Sequence, residues 1–135
     1  MKLAYAVVEM LYEALQRFGG LTGEYGLAIA KSRSGLEKEF LAFAEVKNNL
    51  VNKYGKDGFV RPEMPRYNEF VPEYEKLMNT MTDVEIYPVE DADFTPDKIY
   101  CETATANDYA IFEQFMVKKP EKPKEESDAD AEGKV

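Results

Sequence analysis

The sequence predicts an α+β domain, mainly α, built on a long antiparallel helical hairpin with a third helix, a small two-stranded sheet and a C-terminal helix. Three observations predict it. Between Leu27 and Tyr54 apolar residues fall at Ile29, Leu36, Phe40, Phe43, Val46, Leu50 and Tyr54, a stripe that only a long helix holds on one face. A shorter stripe of Ala4, Val7, Val8, Leu11, Leu15 and Phe18 precedes it and supplies a partner, because a lone amphipathic helix leaves its apolar face in water. Val84-Glu85-Ile86-Tyr87-Pro88-Val89 then alternates as a strand does.

The first helix is expected from Lys2 to Phe18, stopped by Gly19-Gly20 through the left-handed conformation that ends many helices. A glycine-rich turn, Leu21 to Gly26, leads to the long helix, which begins near Tyr25 to Leu27. Ser34-Gly35-Leu36-Glu37 has the form of a capping box, but the stripe keeps phase across it, so one continuous helix with a bend at Gly35 is the better reading. Tyr54-Gly55 closes that helix, and Lys56-Asp57-Gly58 is a turn signal before the β-like pair Phe59-Val60. A third helix starts near Arg66 to Asn68, with Tyr67, Phe70, Val71, Tyr74, Leu77, Met78 and Met81 at helical spacing and Pro72 acceptable only in its opening turn. The alternating strand is expected to pair with Phe59-Val60 or with Ile99-Tyr100-Cys101, its Pro88 marking an edge or an end. Thr105 caps a last helix whose packing face is Tyr109, Phe112, Phe115 and Met116, with Asp108 near the positive end of its dipole.

A chain of 135 residues, 44% of them hydrophobic, suits one core and not two. The expected organisation is a single helical domain with a small sheet over residues 1–117, then a charged, intrinsically disordered tail over 118–135 that lacks apolar periodicity. One cysteine, Cys101, leaves no intrachain disulfide and reads as a small buried hydrophobe in a reducing compartment. No stretch approaches the roughly twenty apolar residues of a membrane span, and the first residues lack the form of a secretory signal. A soluble, intracellular protein without membrane contact is expected.

Seventeen basic against 26 acidic side chains give a net charge of -9, which repels phosphate backbones and argues against direct nucleic-acid binding. The charge is uneven. Lys31, Arg33, Lys38, Lys47, Lys53 and Lys56 outnumber Glu37, Glu39 and Glu45 on the long helix, whereas Asp83, Glu85, Glu90, Asp91, Asp93, Asp97 and Glu102 face a single Lys98 further on. The simplest arrangement lays the acidic segment across the basic helix.

With no histidine the chain lacks the commonest general base and transition-metal ligand, so neither a Ser/His/Asp nor a Cys/His site is available to it. Glu9 and Glu13, one turn apart on a helix that also carries Arg17, read as a solvated face. Gly19-Gly20 and Gly23 lack the strand and the Lys-Ser/Thr of a phosphate loop. Asp91, Asp93, Thr95, Asp97 and Glu102 fall at calcium-loop positions, but Pro96 occupies the place of the obligatory glycine and the preceding segment reads as strand. Thr95-Pro96 is better read as the start of a helical turn. No enzyme activity, cofactor or metal is expected.

A short first helix, a long charged helix ending in Tyr54-Gly55 before Lys-Asp-Gly, a helix containing Tyr67-Asn68-Glu69-Phe70, the strand Val84 to Val89 and a closing helix follow one another in an order that resembles a family of short phage and prophage proteins of unknown function. The resemblance covers residues 1–117 and rests on that order and on the phrases Ala30-Lys31-Ser32, Leu36-Glu37-Lys38-Glu39-Phe40 and Asn68-Glu69-Phe70. Gly35 and the charged tail depart from it. Genes of such proteins often lie near the morphogenesis and tail region. The resemblance implies a non-enzymatic phage protein that works by protein–protein contact, as a minor virion component or assembly factor, in the bacterial cytoplasm during infection or in the virion. Its expected partners are proteins, other phage proteins among them, or a second copy forming a homo-oligomer. Because loops carry function more often than core faces, the expected contact residues are Leu21, Glu24 and Tyr25 in the glycine-flanked turn and Glu90, Asp91, Asp93 and Asp97 in the acidic segment, with the charged tail beside them. The alternative is a small acidic inhibitor that blocks a nucleic-acid-binding groove of a host enzyme. A continuous acidic face would favour the inhibitor, and acidic residues neutralised by the basic helix would favour the assembly role.

Overall fold

The computed structural model describes residues 1–120; the disorder expected of the tail falls mostly on 121–135, outside the described residues. The elements run β1 (Lys2–Ala4), α1 (Tyr5–Arg17), α2 (Gly23–Tyr54), α3 (Tyr67–Met78), β2 (Met81–Asp83), β3 (Val89–Glu90), α4 (Ala106–Met116) and β4 (Val117–Lys118), with a 3-10 turn at Pro96–Ile99. The fold is mainly α and of the expected class.

The two stripes meet. Val8, Leu11, Ala14 and Leu15 of α1, and Phe18 just after it, are completely buried, and α2 turns Ala28, Ile29, Leu36 and Phe43 toward the interior. Aromatic stacking runs along the seam, Tyr12 on Phe40 at 4.4 Å and Tyr5 on Phe43 at 5.2 Å between ring centroids. Phe112 and Met116 of α4 close the core from the other side, where Phe18 meets the Phe112 ring edge-on at 5.1 Å. Phe43, Leu50 and Tyr54 are buried apart from this main cluster, under α3 and beside α1. Val46, expected in the stripe, is half exposed because it lies at the edge of the arc that the buried positions define.

Four expectations require correction. Lys2 to Ala4 do not begin the first helix: they pair antiparallel with Met81–Asp83, and Tyr5 N–H donates to Thr80 O at 3.0 Å, so the tertiary ladder takes backbone groups that a helix would have used. The strand Val84 to Val89 joins neither Phe59-Val60 nor Ile99-Tyr100-Cys101. Val84 exchanges backbone hydrogen bonds with Met1 beyond the end of the β1–β2 pairing, Glu85 to Tyr87 lie against α2, and Val89–Glu90 forms a ladder parallel with Val117–Lys118. Val84 is buried and Ile86 half-buried, so its two-residue period marks one face pressed on a helix and not a sheet. Gly19 and Gly20 do not take the left-handed conformation; α1 ends on N–H bonds from Phe18 to Leu15 O and from Gly19 to Gln16 O, and positive φ falls instead at Gly23 (69°). Finally, the boundary drawn after 117 is too early, because Lys118 lies in the β3–β4 ladder.

Gly35 explains how Val84 to Pro88 can lie so close. A Cβ there would stand 2.3 Å from Glu85 O, so any side chain would push the segment off the helix. The α2 helix runs unbroken through it, as expected from the phase of its stripe.

Candidate functional site

The first turns of α2 and the extended segment over them form the walls of a groove. Ser32 is fully buried and its Oγ accepts from Tyr87 N–H at 2.8 Å, which anchors the segment on α2. Lys31 Nζ lies 5.5 Å from the centroid of that ring, within cation–π range. The resulting cleft of about 470 Å³ is lined by Glu24, Leu27, Ala28, Lys31, Tyr87, Pro88, Val89 and Glu90. Leu27 is 59% exposed and Tyr87 40% exposed, so the walls are apolar and open, with carboxylates at Glu24 and Glu90.

One end of this groove is held by a buried-edge network. Asp91 Oδ2 accepts from Tyr25 Oη at 2.7 Å and from Lys98 Nζ at 3.0 Å, while Oδ1 accepts from Asp93 N–H at 3.0 Å. The Tyr25 hydroxyl holds the Asp91 carboxyl below the usual carboxylate range, and the Lys98 ammonium adds to this. Burial pushes the Tyr25 hydroxyl well above the usual tyrosine value, and the bond to Asp91 pushes it further. Both shifts favour the state with a neutral phenol donating to an ionised carboxylate. The Tyr25 ring also rests against Phe94 and Phe112, tying the loop to the core.

The expected contact residues therefore divide. Glu24 and Glu90 stand on the groove. Tyr25 and Asp91 are brought together, but their polar atoms are engaged with each other, and Leu21 is half-buried against the core. Asp93 and Asp97 are exposed on the loop beyond and line no part of the cleft. Sequence reasoning missed Leu27, Lys31, Tyr87 and Pro88. The available signal was Leu27, an apolar residue off the α2 stripe, with Tyr87-Pro88 at the end of an alternating segment.

The acidic segment lies along α2 but is not neutralised by it. Among the described residues its ion pairs are Asp83 with Lys2 at 3.0 Å and Asp91 with Lys98 at 3.0 Å, and the α2 cations that pair do so elsewhere, Lys47 with Glu9 and Lys53 with Glu73. Asp91 is committed to Tyr25 and Lys98, and Pro96–Ile99 coils into the 3-10 turn that Thr95-Pro96 announced, so the calcium-like spacing serves a loop anchor. Among the described residues no group of three or more His, Cys, Asp or Glu side chains is placed to hold a metal ion. A smaller crevice of about 270 Å³ between α1 and α4 contains Glu9, Glu13, Arg17 and Asp108, with Arg17 and Asp108 paired at 3.1 Å. Cys101 is half-buried and its Sγ donates to Arg17 O.

No protein-family model, curated protein or solved structure matches the chain. Among the described residues no helix is long and apolar enough to cross a membrane.

Proposed function

We propose that this chain is a non-enzymatic protein that works by contact with other proteins, and that the groove between α2 and Val84 to Glu90 is where it makes contact. The observation that carries the proposal is the exposure of two large apolar side chains, Leu27 and Tyr87, that line one cleft. A cleft that sets apolar side chains beside charged ones suits the side chains of a protein partner. The order of elements that resembles short phage proteins supports a phage-encoded minor virion component or assembly factor, present in the infected cytoplasm or in the particle. A photoreactive amino acid placed at Leu27 in producing cells tests this. A cross-link to a particle or assembly protein that is lost on Tyr87→Ala is the expected result; no protein cross-link from this position would overturn it.

A second reading has one specific observation in its favour. Glu85, Glu90, Asp93, Asp97 and Glu102 form no ion pair among the described residues, which leaves acidic surface for an inhibitor of a nucleic-acid-binding enzyme. It is the weaker reading because Leu27, Tyr87 and Lys31 interrupt that surface with apolar and basic groups.

A further inference from the structure

At the far end of α2 the chain makes a projection complementary to the groove. Lys56 N–H donates to Phe59 O at 2.8 Å and Phe59 N–H donates to Lys56 O at 3.1 Å, closing a two-residue hairpin turn. Asp57 and Gly58 both have positive φ, 56° and 83°, the arrangement that Asp-Gly favours in tight hairpins. Gly55 has no side chain to obstruct it: a Cβ there would lie 2.1 Å from Phe59 O, so the turn seats directly against the end of the helix. The result is a rigid mount for Phe59, which is 61% exposed. The Arg61 guanidinium stands 5.7 Å from its ring centroid, and neither Arg61 nor Lys56 forms an ion pair among the described residues. An apolar ring beside Lys56, Arg61 and the Asp57 carboxylate thus sits at one end of α2, and at the other a cleft that carries the Glu24 and Glu90 carboxylates with the Lys31 ammonium against its Tyr87 wall.

We infer that the chain associates head to tail with itself, the Phe59 ring of one copy entering the Leu27–Tyr87 cleft of the next while Lys56 and Arg61 meet Glu24 and Glu90. The inference rests on the contact role proposed for the groove and names its occupant as a second copy. The contact joins two different surfaces of the chain, so a copy engaged at its cleft still offers its Phe59 turn to another copy, unless two copies lie antiparallel and exchange both contacts. A heterologous contact of this kind builds open chains or rings. The turn loses little freedom on docking because it is already fixed, whereas the small contact keeps association reversible.

Sedimentation velocity of the full chain over a concentration series tests the inference. The weight-average sedimentation coefficient is expected to rise with concentration and to fall back when salt is raised. Phe59→Ala combined with Lys56→Glu removes the projection, and Leu27→Asp removes the cleft; both changes are at exposed positions, and each protein alone is expected to remain monomeric. Mixed in equal amounts, the two are expected to form one heterodimer and nothing larger, since only one intact projection and one intact cleft remain. A wild type that stays monomeric throughout, association that survives either variant, or a mixture that stays monomeric overturns the inference. The wider contact role fails on a different result, the absence of any protein cross-link from Leu27, and a monomeric wild type that cross-links there to another protein overturns self-association alone.

Discussion

Asp108 is almost fully buried, and its carboxylate is engaged on both sides. It accepts from Thr105 N–H at 2.9 Å and from Arg17 Nη1 at 3.1 Å, while its own N–H donates to Thr105 Oγ1 at 3.2 Å, completing a capping box. Asp108→Ala removes one half of the cap and the partner of a half-exposed Arg17, so a loss of about 1–2 kcal/mol is expected in urea denaturation, with Thr105→Ala close behind. Gly35→Ala acts differently: its methyl group collides with Glu85 O, and the expected cost of about 1–3 kcal/mol comes with displacement of Tyr87 and loss of any binding that uses the groove. The Tyr25–Asp91 pair sets a pH window. Asp91 is lowered from 3.8, so its stabilisation is present above that value and is lost as acid titrates the folded carboxylate; Tyr25 is raised from 10.0, so its contribution is complete below pH 10 and is lost as alkali ionises the folded phenol. Tyr25→Phe is expected to flatten the alkaline limb of stability against pH and, by letting the Asp91 carboxyl rise back toward its ordinary value, the acid limb as well, both read by thermal unfolding across pH.

The helices differ in how firmly they are held. No residue of α3 is fully buried, and Pro72, the sixth residue of the helix, removes one backbone donor from its interior, beyond the opening turn to which the sequence reading confined it. The helix is kept in place by a partly exposed aromatic cluster, Phe70 stacked on Tyr74 at 5.3 Å and edge-on to Tyr54 at 6.1 Å, with the Tyr54 hydroxyl donating to Glu73. Amides of Tyr67–Met78 are therefore expected to exchange fastest among the four helices. Phe70→Ala should cost less than Phe112→Ala, which empties a fully buried site and carries the usual loss of about 3–5 kcal/mol. The same contrast explains what was legible. Helix α4 could be read closely because its cap and its packing face lie within a dozen residues. The β1–β2 ladder could not, since each strand is three residues long and its partner stands some eighty positions away, too little local pattern to set against a helical stripe. The groove was half legible for a related reason: acidic loop residues announce themselves by charge, whereas Leu27 and Tyr87 become neighbours only because Gly35 and Ser32 let one segment settle on the helix.

Across the whole molecule the core is lopsided. Its main cluster takes Ala28, Ile29 and Leu36 from α2 and no fully buried member beyond them, while the second half of the helix carries Phe43, Leu50 and Tyr54 under α3. Over its 32 residues, about 48 Å of helix, α2 thus joins a well-packed body bearing the groove to a thinner arm bearing the Phe59 turn. Val46→Pro tests whether these parts are separable. Val46 is half exposed, so little packing is lost, but proline there removes a helical hydrogen bond and clashes with the preceding turn at a cost of about 3 kcal/mol or more. The penalty falls on the arm, which meets the body through the Tyr5 ring stacked on Phe43, the Lys47–Glu9 ion pair and the packing of α3 against α1. Hydrogen exchange is expected to show lost protection from Phe43 through Met78, with α1 and α4 still protected. Uniform loss of protection would instead mean that body and arm fold as one cooperative unit. Head-to-tail association should disappear in the same variant although neither Phe59 nor Leu27 has been touched, because a complementary pair of ends joins copies only while the helix between them holds its line.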